Sequence, residues 1–310
     1  MRHNGIHHVT AIAGQARRNL DFYRRVLGLR LVKKTVNFDD PGTYHFYYGD
    51  ESGQPGTILT FFPWEHATSG RLGVGETQET IFRVPEASIG YWTHRFIEQG
   101  LPHGAPEKRF GETTVAFKDP DGLRLSLVAI PGTERESAWS DGTIPAEYAI
   151  RGFHSASLLV ADAAPTAAIL TDVLGFTETG REGSVVRYTT GDTALGGIID
   201  LREAGNFLRG RQGAGSVHHI AFRAANDAVQ LEMAEKLVRS HGIRTTDQKN
   251  RDYFRSVYFR EPNGILFEIA TDDPGFAIDE PAVSLGQTLK LPRFLEPSRE
   301  RIEAALPKIA

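Results

Sequence analysis

The 310-residue sequence contains no cysteine. That absence removes disulfides, thiolate metal ligands and thiol nucleophiles together, so any bound metal must be held by nitrogen and oxygen. Nor is there an excess of positive charge. A formal net charge of −4 supplies no basic field, and no nucleic-acid partner is expected. No uninterrupted apolar stretch approaches the ~18 residues that read as a membrane-spanning helix. The N-terminus shows no basic, apolar, small-residue leader pattern. The sequence therefore predicts no membrane partner and a cytoplasmic location.

What is present is a module written four times. Residues 5–65 read as a strand at Ile6–Ala13, a helix at Ala16–Leu27 stopped by Gly28, and three strands at Leu29–Val36, Thr43–Tyr48 and Thr57–Phe62. The turn signals Asp40-Pro41-Gly42 and Gly53-Gln54-Pro55-Gly56 separate them. The βαβββ order restarts at Glu76, at Gly152 and at Gly215, with helices through Tyr91–Glu98 and Ala228–Arg239 ended by Gly100 and Gly242. ILTDVLGF at 169–176 echoes FYRRVLGL at 22–29.

The expected fold class is α+β, four βαβββ modules in two domains: 1–135 holding modules one and two, a linker at 136–150, and 151–275 holding modules three and four. Residues 276–310 read as a Pro-rich, polar packing extension, helical over Ser298–Ala305.

The chemistry sits in two histidine pairs and one acid. His7-His8 in the first module returns as His218-His219 in the fourth, and Glu268 follows in Leu266-Phe267-Glu268-Ile269. Successive strand residues face opposite sides of a sheet, so one histidine of each pair is expected to point at a common centre. Aligning the modules places Thr60 and Ser126 where the fourth has Glu268, and Ser155 where the first has His8. A full set of two imidazoles and one carboxylate therefore assembles only from modules one and four, as His8, His219 and Glu268. Such a set leaves open positions on a metal for substrate and O₂. His154 aligns with His7 and is expected to be structural.

The segments GIHHVTAI, LGLRLVKKTVNFDDPGTYHFYYGD and PGTILTFFPW make the chain resemble the vicinal oxygen chelate superfamily of glyoxalases, bleomycin-resistance proteins and extradiol dioxygenases. Within it the chain is similar to the ring-cleaving dioxygenases of para-hydroquinones. That resemblance implies two vicinal-oxygen-chelate domains with the metal in a cavity formed by modules one and four. It implies Fe(II), with Mn(II) or Zn(II) as other ions the set could hold, bound by His8, His219 and Glu268. It further implies catalytic roles for His7, Thr10, His218, Arg251 and Tyr258 around the metal, one of the two histidines His7 and His218 acting as proton donor. A small aromatic substrate, O₂ and a homo-oligomeric assembly complete the expectation. The alternatives are a glyoxalase-like isomerase, which usually carries a fourth protein ligand, and a non-catalytic binding protein, which needs no metal set.

Overall fold

The computed structural model describes residues 4–309. Module one contains β1 (Ile6–Ala13), α1 (Ala16–Asp21), β2 (Arg30–Asn37), β3 (Asp40–Gly49) and β4 (Ile58–Pro63). Module two contains β5 (Glu76–Pro85), α2 (Ile89–Glu98), β6 (Glu107–Arg109), β7 (Glu112–Lys118) and β8 (Arg124–Ile130). Module three contains β9 (Phe153–Val160), α3 (Ala163–Asp172), β10 (Thr177–Glu182), β11 (Val185–Thr189) and β12 (Ile198–Glu203). Module four contains β13 (Ser216–Ala224), α4 (Asp227–His241), β14 (Lys249–Asn250), β15 (Arg255–Arg260) and β16 (Leu266–Thr271).

The predicted helix at Ala16–Leu27 is α-helical only to Asp21 and then widens into a π turn over Phe22–Val26, with Leu27 N donating to Phe22 O. The wider turn buries both Phe22 and Tyr23; Tyr23 packs between Tyr48 and Phe61 and donates its hydroxyl to Asp119. Gly28 ends the segment at φ 68°, and a Cβ there would meet Ile144 at 2.3 Å, so no other residue fits the turn.

The strands form two curled eight-stranded sheets. One runs β14-β15-β16-β13-β1-β4-β3-β2, the other β10-β11-β12-β9-β5-β8-β7-β6. Module one therefore shares a sheet with module four, and module two with module three. In each sheet the first strands of two modules meet antiparallel at the centre, β1 on β13 and β5 on β9.

Residues 276–310 do more than cover the surface. Phe276 and Leu285 join Val32, Tyr47, Ile58, Ala221, Tyr253, Phe254 and Ala270 in one buried cluster. Lys33 of β2, wholly buried, places Nζ 2.5 Å from both Asp279 Oδ1 and Glu280 Oε2. A buried ammonium is tolerated because both carboxylates compensate it. Further on, α5 (Arg299–Ala305) packs Ile302 into the main core.

Candidate metal centre

Two irregularities in the β1–β13 pairing position the histidines. Ile6 lies opposite Phe222 but His8 opposite Ala221; Thr10 lies opposite His219 but Ala11 opposite Val217. His7 and His218 are thus the extra residues of two β-bulges. A bulge frees its extra residue from strict alternation, so each pair keeps its members together instead of splitting them across the sheet. His7 Nδ1 lies 2.9 Å from His8 Nδ1, and His218 Nδ1 lies 2.8 Å from His219 Nδ1. With Nδ1 engaged by its neighbour, each of His8 and His219 turns Nε2 inward.

There the two Nε2 atoms are 3.3 Å apart, and Glu268 Oε2 lies 2.9 Å from His219 Nε2 and 3.5 Å from His8 Nε2. Three mutually perpendicular metal–ligand bonds of about 2.1 Å put their donor atoms about 3.0 Å apart. The observed triangle is close to that. Glu268 is wholly buried, its Oε1 accepts from Ser256 Oγ, and its Oε2 has no aligned hydrogen-bond donor. A buried carboxylate oxygen without a donor is costly unless something else meets it, and the donor set suits a divalent ion. His8, His219 and Glu268 therefore fit a metal.

Electrostatics agree. Burial holds His7 at about 3 and His218 at about 3, below the imidazole value, so both stay neutral and are able to accept at Nδ1 from a neighbour whose Nε2 is kept bare for a metal. Burial opposes ionisation of Glu268, but His8 and His219 beside it outweigh this and keep the carboxyl well below its usual range.

Two chains of contacts approach the triad. Tyr258, opposite Glu268 in the β15–β16 ladder, stands edge-on to His219 and accepts from Arg251 Nε at 3.3 Å. Burial, reinforced by Glu268, raises the Tyr258 hydroxyl well above the phenol range. Burial would lower the Arg251 guanidinium, but Tyr258 and Asp39 hold it above its ordinary value, with Arg251 Nη2 3.1 Å from Asp39 Oδ2. On the opposite side Thr60 Oγ1 donates to Thr10 Oγ1 at 2.9 Å, and His45 Nε2 lies 2.8 Å from Thr60 Oγ1. Since Thr60 has given its proton to Thr10, it accepts from His45 Nε2–H, leaving His45 Nδ1 to accept from Tyr47 OH at 2.9 Å.

A cavity of about 450 Å³ opens over this floor, lined by His8, His219, Arg251, Tyr258, His218, Leu266, the aromatic residues Phe38, His45, Tyr47, Phe62, Trp64 and Phe254, and by Asn37, Asp39 and Asp40. Of the residues singled out from sequence, His218, Arg251 and Tyr258 reach its wall with His8 and His219, and Glu268 lies beneath. His7 and Thr10 do not line it: His7 is packed behind His8 against Phe254, and Thr10 is engaged by Thr60. The contact of His7 toward the triad is the one from Nδ1 to His8 Nδ1.

Sequence reasoning missed Tyr47 and His45. The ladders contain the signal: Tyr47 stands opposite Thr60 as Tyr258 stands opposite Glu268, so the two tyrosines are repeat equivalents on either side of the cavity. His154, as expected, is tied up structurally, with Nδ1 2.9 Å from Ser155 Oγ and Nε2 3.2 Å from Glu112 Oε1.

The sequence profile described as Glyoxalase/Bleomycin resistance protein/Dioxygenase superfamily matches residues 5–127 and 152–269. The chain belongs to this superfamily. A superfamily member from Bacillus subtilis (strain 168), named "Putative ring-cleaving dioxygenase MhqO", is 47% identical over 97% of this chain and 95% of its own length. The chlorohydroquinone/hydroquinone 1,2-dioxygenase of Sphingobium indicum is 30% identical over 97% of this chain and 95% of its own length. A crystal structure from Bacillus subtilis superposes with a TM-score of 0.93 at 45% identity, covering 99% of this chain and 97% of that one. Maize glyoxalase I, at 12% identity and a TM-score of 0.66 over 87% of this chain and 93% of its own, shares the fold.

Proposed function

We propose that the protein is an Fe(II)-dependent dioxygenase that opens the ring of a para-hydroquinone with O₂. The observation that carries the reading is the His8, His219 and Glu268 triangle, with its donorless carboxylate oxygen at the base of an aromatic-walled cavity. The relatives named as ring-cleaving and hydroquinone dioxygenases support the reaction class. In the overall reaction the bond between a hydroxyl-bearing carbon and its neighbour breaks. One carbon becomes a carboxylic acid and the other an aldehyde, and both O₂ atoms enter the product.

When bound, Fe(II) supplies the electron path that the spin-forbidden meeting of a quinol with O₂ requires, a path closed to redox-inert Zn(II). The chain supplies placement and protons. Because Tyr258 accepts from Arg251, its own O–H is free to donate into the cavity. Its raised pKa keeps that proton in place until a substrate oxygen needs it. The Arg251 guanidinium, held by Asp39, sets a fixed positive charge where a phenolate would sit. His218, neutral and on the cavity wall, would be the histidine that gives a proton to an oxygen there, a reading its position supports better than that of His7 behind His8. The flat rings of His45, Phe62 and Phe254 enclose a planar substrate and exclude water.

Thr60, at the position repeat-equivalent to Glu268, offers no fourth carboxylate, which disfavours an isomerase with four protein ligands. The test is anaerobic loading with Fe(II) followed by O₂-electrode assays against hydroquinones and catechols. One O₂ consumed per methylhydroquinone, with a ring-opened product, is expected. Absence of O₂ uptake above autoxidation, or formation of quinone alone, rejects the proposal.

A further inference from the structure

The aromatic wall continues well beyond the triad. Thr60 is level with it, opposite Thr10, and Thr10 is itself opposite His219. From Thr60 the same face of β4 presents Phe62 and then Trp64, whose N–H continues the ladder to Ala13 O. Four residues of extended chain carry that wall about 13 Å outward, whereas one quinol ring covers about a single two-residue step of ~6.6 Å.

The opposite wall is shorter, so the outer part of the cavity is walled chiefly by β4. β13 and β16 run antiparallel to β4, so His218 and Leu266 lie outward of His219 and Glu268; by register Leu266 is level with His219 and Thr60, and His218 falls between Thr60 and Phe62. Phe62 sits 4.3 Å from the His45 ring, 5.3 Å from Trp64 and 5.7 Å from His218. Trp64 is anchored through Nε1 to Asp40 Oδ2 at 2.9 Å.

Volume gives the same answer. The nine non-hydrogen atoms of methylhydroquinone fill roughly 180 Å³ at the packing density of protein interiors, well under half of the 450 Å³ available. Asp39 and Asp40 at the mouth disfavour an anionic substituent in the remainder.

We infer that the substrate is a para-hydroquinone carrying an uncharged, apolar second ring, seated against Phe62 and Trp64 while the quinol oxygen faces the triad. The inference rests on the quinol reading above and adds the size and polarity of the substituent.

Binding without turnover tests it. Dissociation constants for methylhydroquinone and phenylhydroquinone are measured by calorimetry on the Fe(II)-loaded protein under strict anaerobiosis. Burial of an additional aromatic ring favours phenylhydroquinone by about tenfold or more. Trp64→Ala is expected to reduce the ratio below about threefold, and Trp64→Phe to retain most of it. Equal or weaker binding of phenylhydroquinone to the unaltered protein overturns the inference, as does an unchanged ratio in Trp64→Ala. Because no O₂ is present, a failure to cleave rings leaves this result readable. Conversely, efficient cleavage of methylhydroquinone with no preference for the second ring sinks this inference alone.

Discussion

Replacing Glu268 by Gln separates a ligand from a structural carboxylate. Gln keeps the volume, and its amide oxygen still accepts from Ser256, but it removes the negative charge from a wholly buried site. The change should therefore weaken metal binding while leaving the metal-free fold intact. With free metal at about 1,000 times Kd, binding stabilises the native state by about 4.1 kcal/mol. At roughly 2 °C per kcal/mol for a chain of this size that is a rise in Tm of about 8 °C. Disturbing groups that merely orient metal ligands costs about 10- to 100-fold in affinity, so loss of the one anionic ligand should cost at least about 100-fold. The same metal concentration then stands at about 10 times Kd and stabilises the variant by only about 1.4 kcal/mol, or about 3 °C. Thermal melts with and without Fe(II) under anaerobic conditions, checked by metal content per chain, measure this directly. A Glu268→Gln protein that gains the full 8 °C shows that the carboxylate is no ligand. A metal-free variant melting more than about 6 °C below the metal-free parent shows instead that Glu268 is a structural partner of His8 and His219.

Tyr258→Phe and Arg251→Ala should retain the metal but lose about 10²- to 10⁴-fold in kcat, since they act on substrate oxygen from outside the ligand triangle. Normal turnover with metal intact refutes the roles assigned to them. Lys33→Met should destabilise the fold by about 3–5 kcal/mol by stranding the buried Glu280 carboxylate, with Lys33→Met/Glu280→Gln recovering much of the loss; denaturant titration reads both. Burial raises the Glu76 carboxyl to about 7 from 4.5, against the pull of Arg260. Its stabilising, protonated form is complete below pH 4.5 and is lost as pH rises through about 7, so Glu76→Gln should be more stable than the parent at pH 8 by up to about 3 kcal/mol and equal to it at pH 4.5. A constant difference across that range would contradict the assigned burial.

The four modules, the sharing of a cavity by modules one and four, and the convergence of His8, His219 and Glu268 were legible because each depends on residue type at a repeated position. Period-2 strands and glycine stops announce a module, and only two modules carry the candidate ligand residues. The β-bulges at His7 and His218 were not legible. A bulge is a mismatch between two strands, and neither strand contains it alone. For the same reason strict alternation suggested that each histidine pair would be divided between the two faces of the sheet. The π turn at Phe22–Val26 escaped because a helical pattern with two adjacent buried aromatics still reads as 3.6-periodic. Phe276 and Leu285 were hidden in a Pro-rich, polar tail whose composition resembles a surface extension. What places them inside is the distant Lys33, whose buried charge draws in Asp279 and Glu280.

The second sheet shows how a duplicated fold divides its labour. Its pairing repeats both bulges of the first sheet, now at Gln78 and His154. By register, Ser155, Glu79 and Ser126 stand where the first sheet has His8, His219 and Glu268. The carboxylates of Glu79, Glu112 and Asp200 line the corresponding cavity, and each is paired within the protein. Arg109 Nη1 lies 2.6 Å from Glu79 Oε2, and Arg187 forks onto Asp200 at 2.9 Å through both Nε and Nη2 while also reaching Glu112. Arg187 holds the ladder position that Tyr47 holds in the first sheet, opposite Asp200 as Tyr47 is opposite Thr60, while Ala116 takes the place of Tyr258, opposite Ser126. One exchange, a phenol for a guanidinium, thus puts a permanent cation where an ion would otherwise neutralise the acids. The first sheet, with Tyr258 and Tyr47 in those places, leaves Glu268 Oε2 without a donor. The same backbone therefore carries a self-neutralised set of side chains on one side and, on the other, a set that fits a cation from outside the chain.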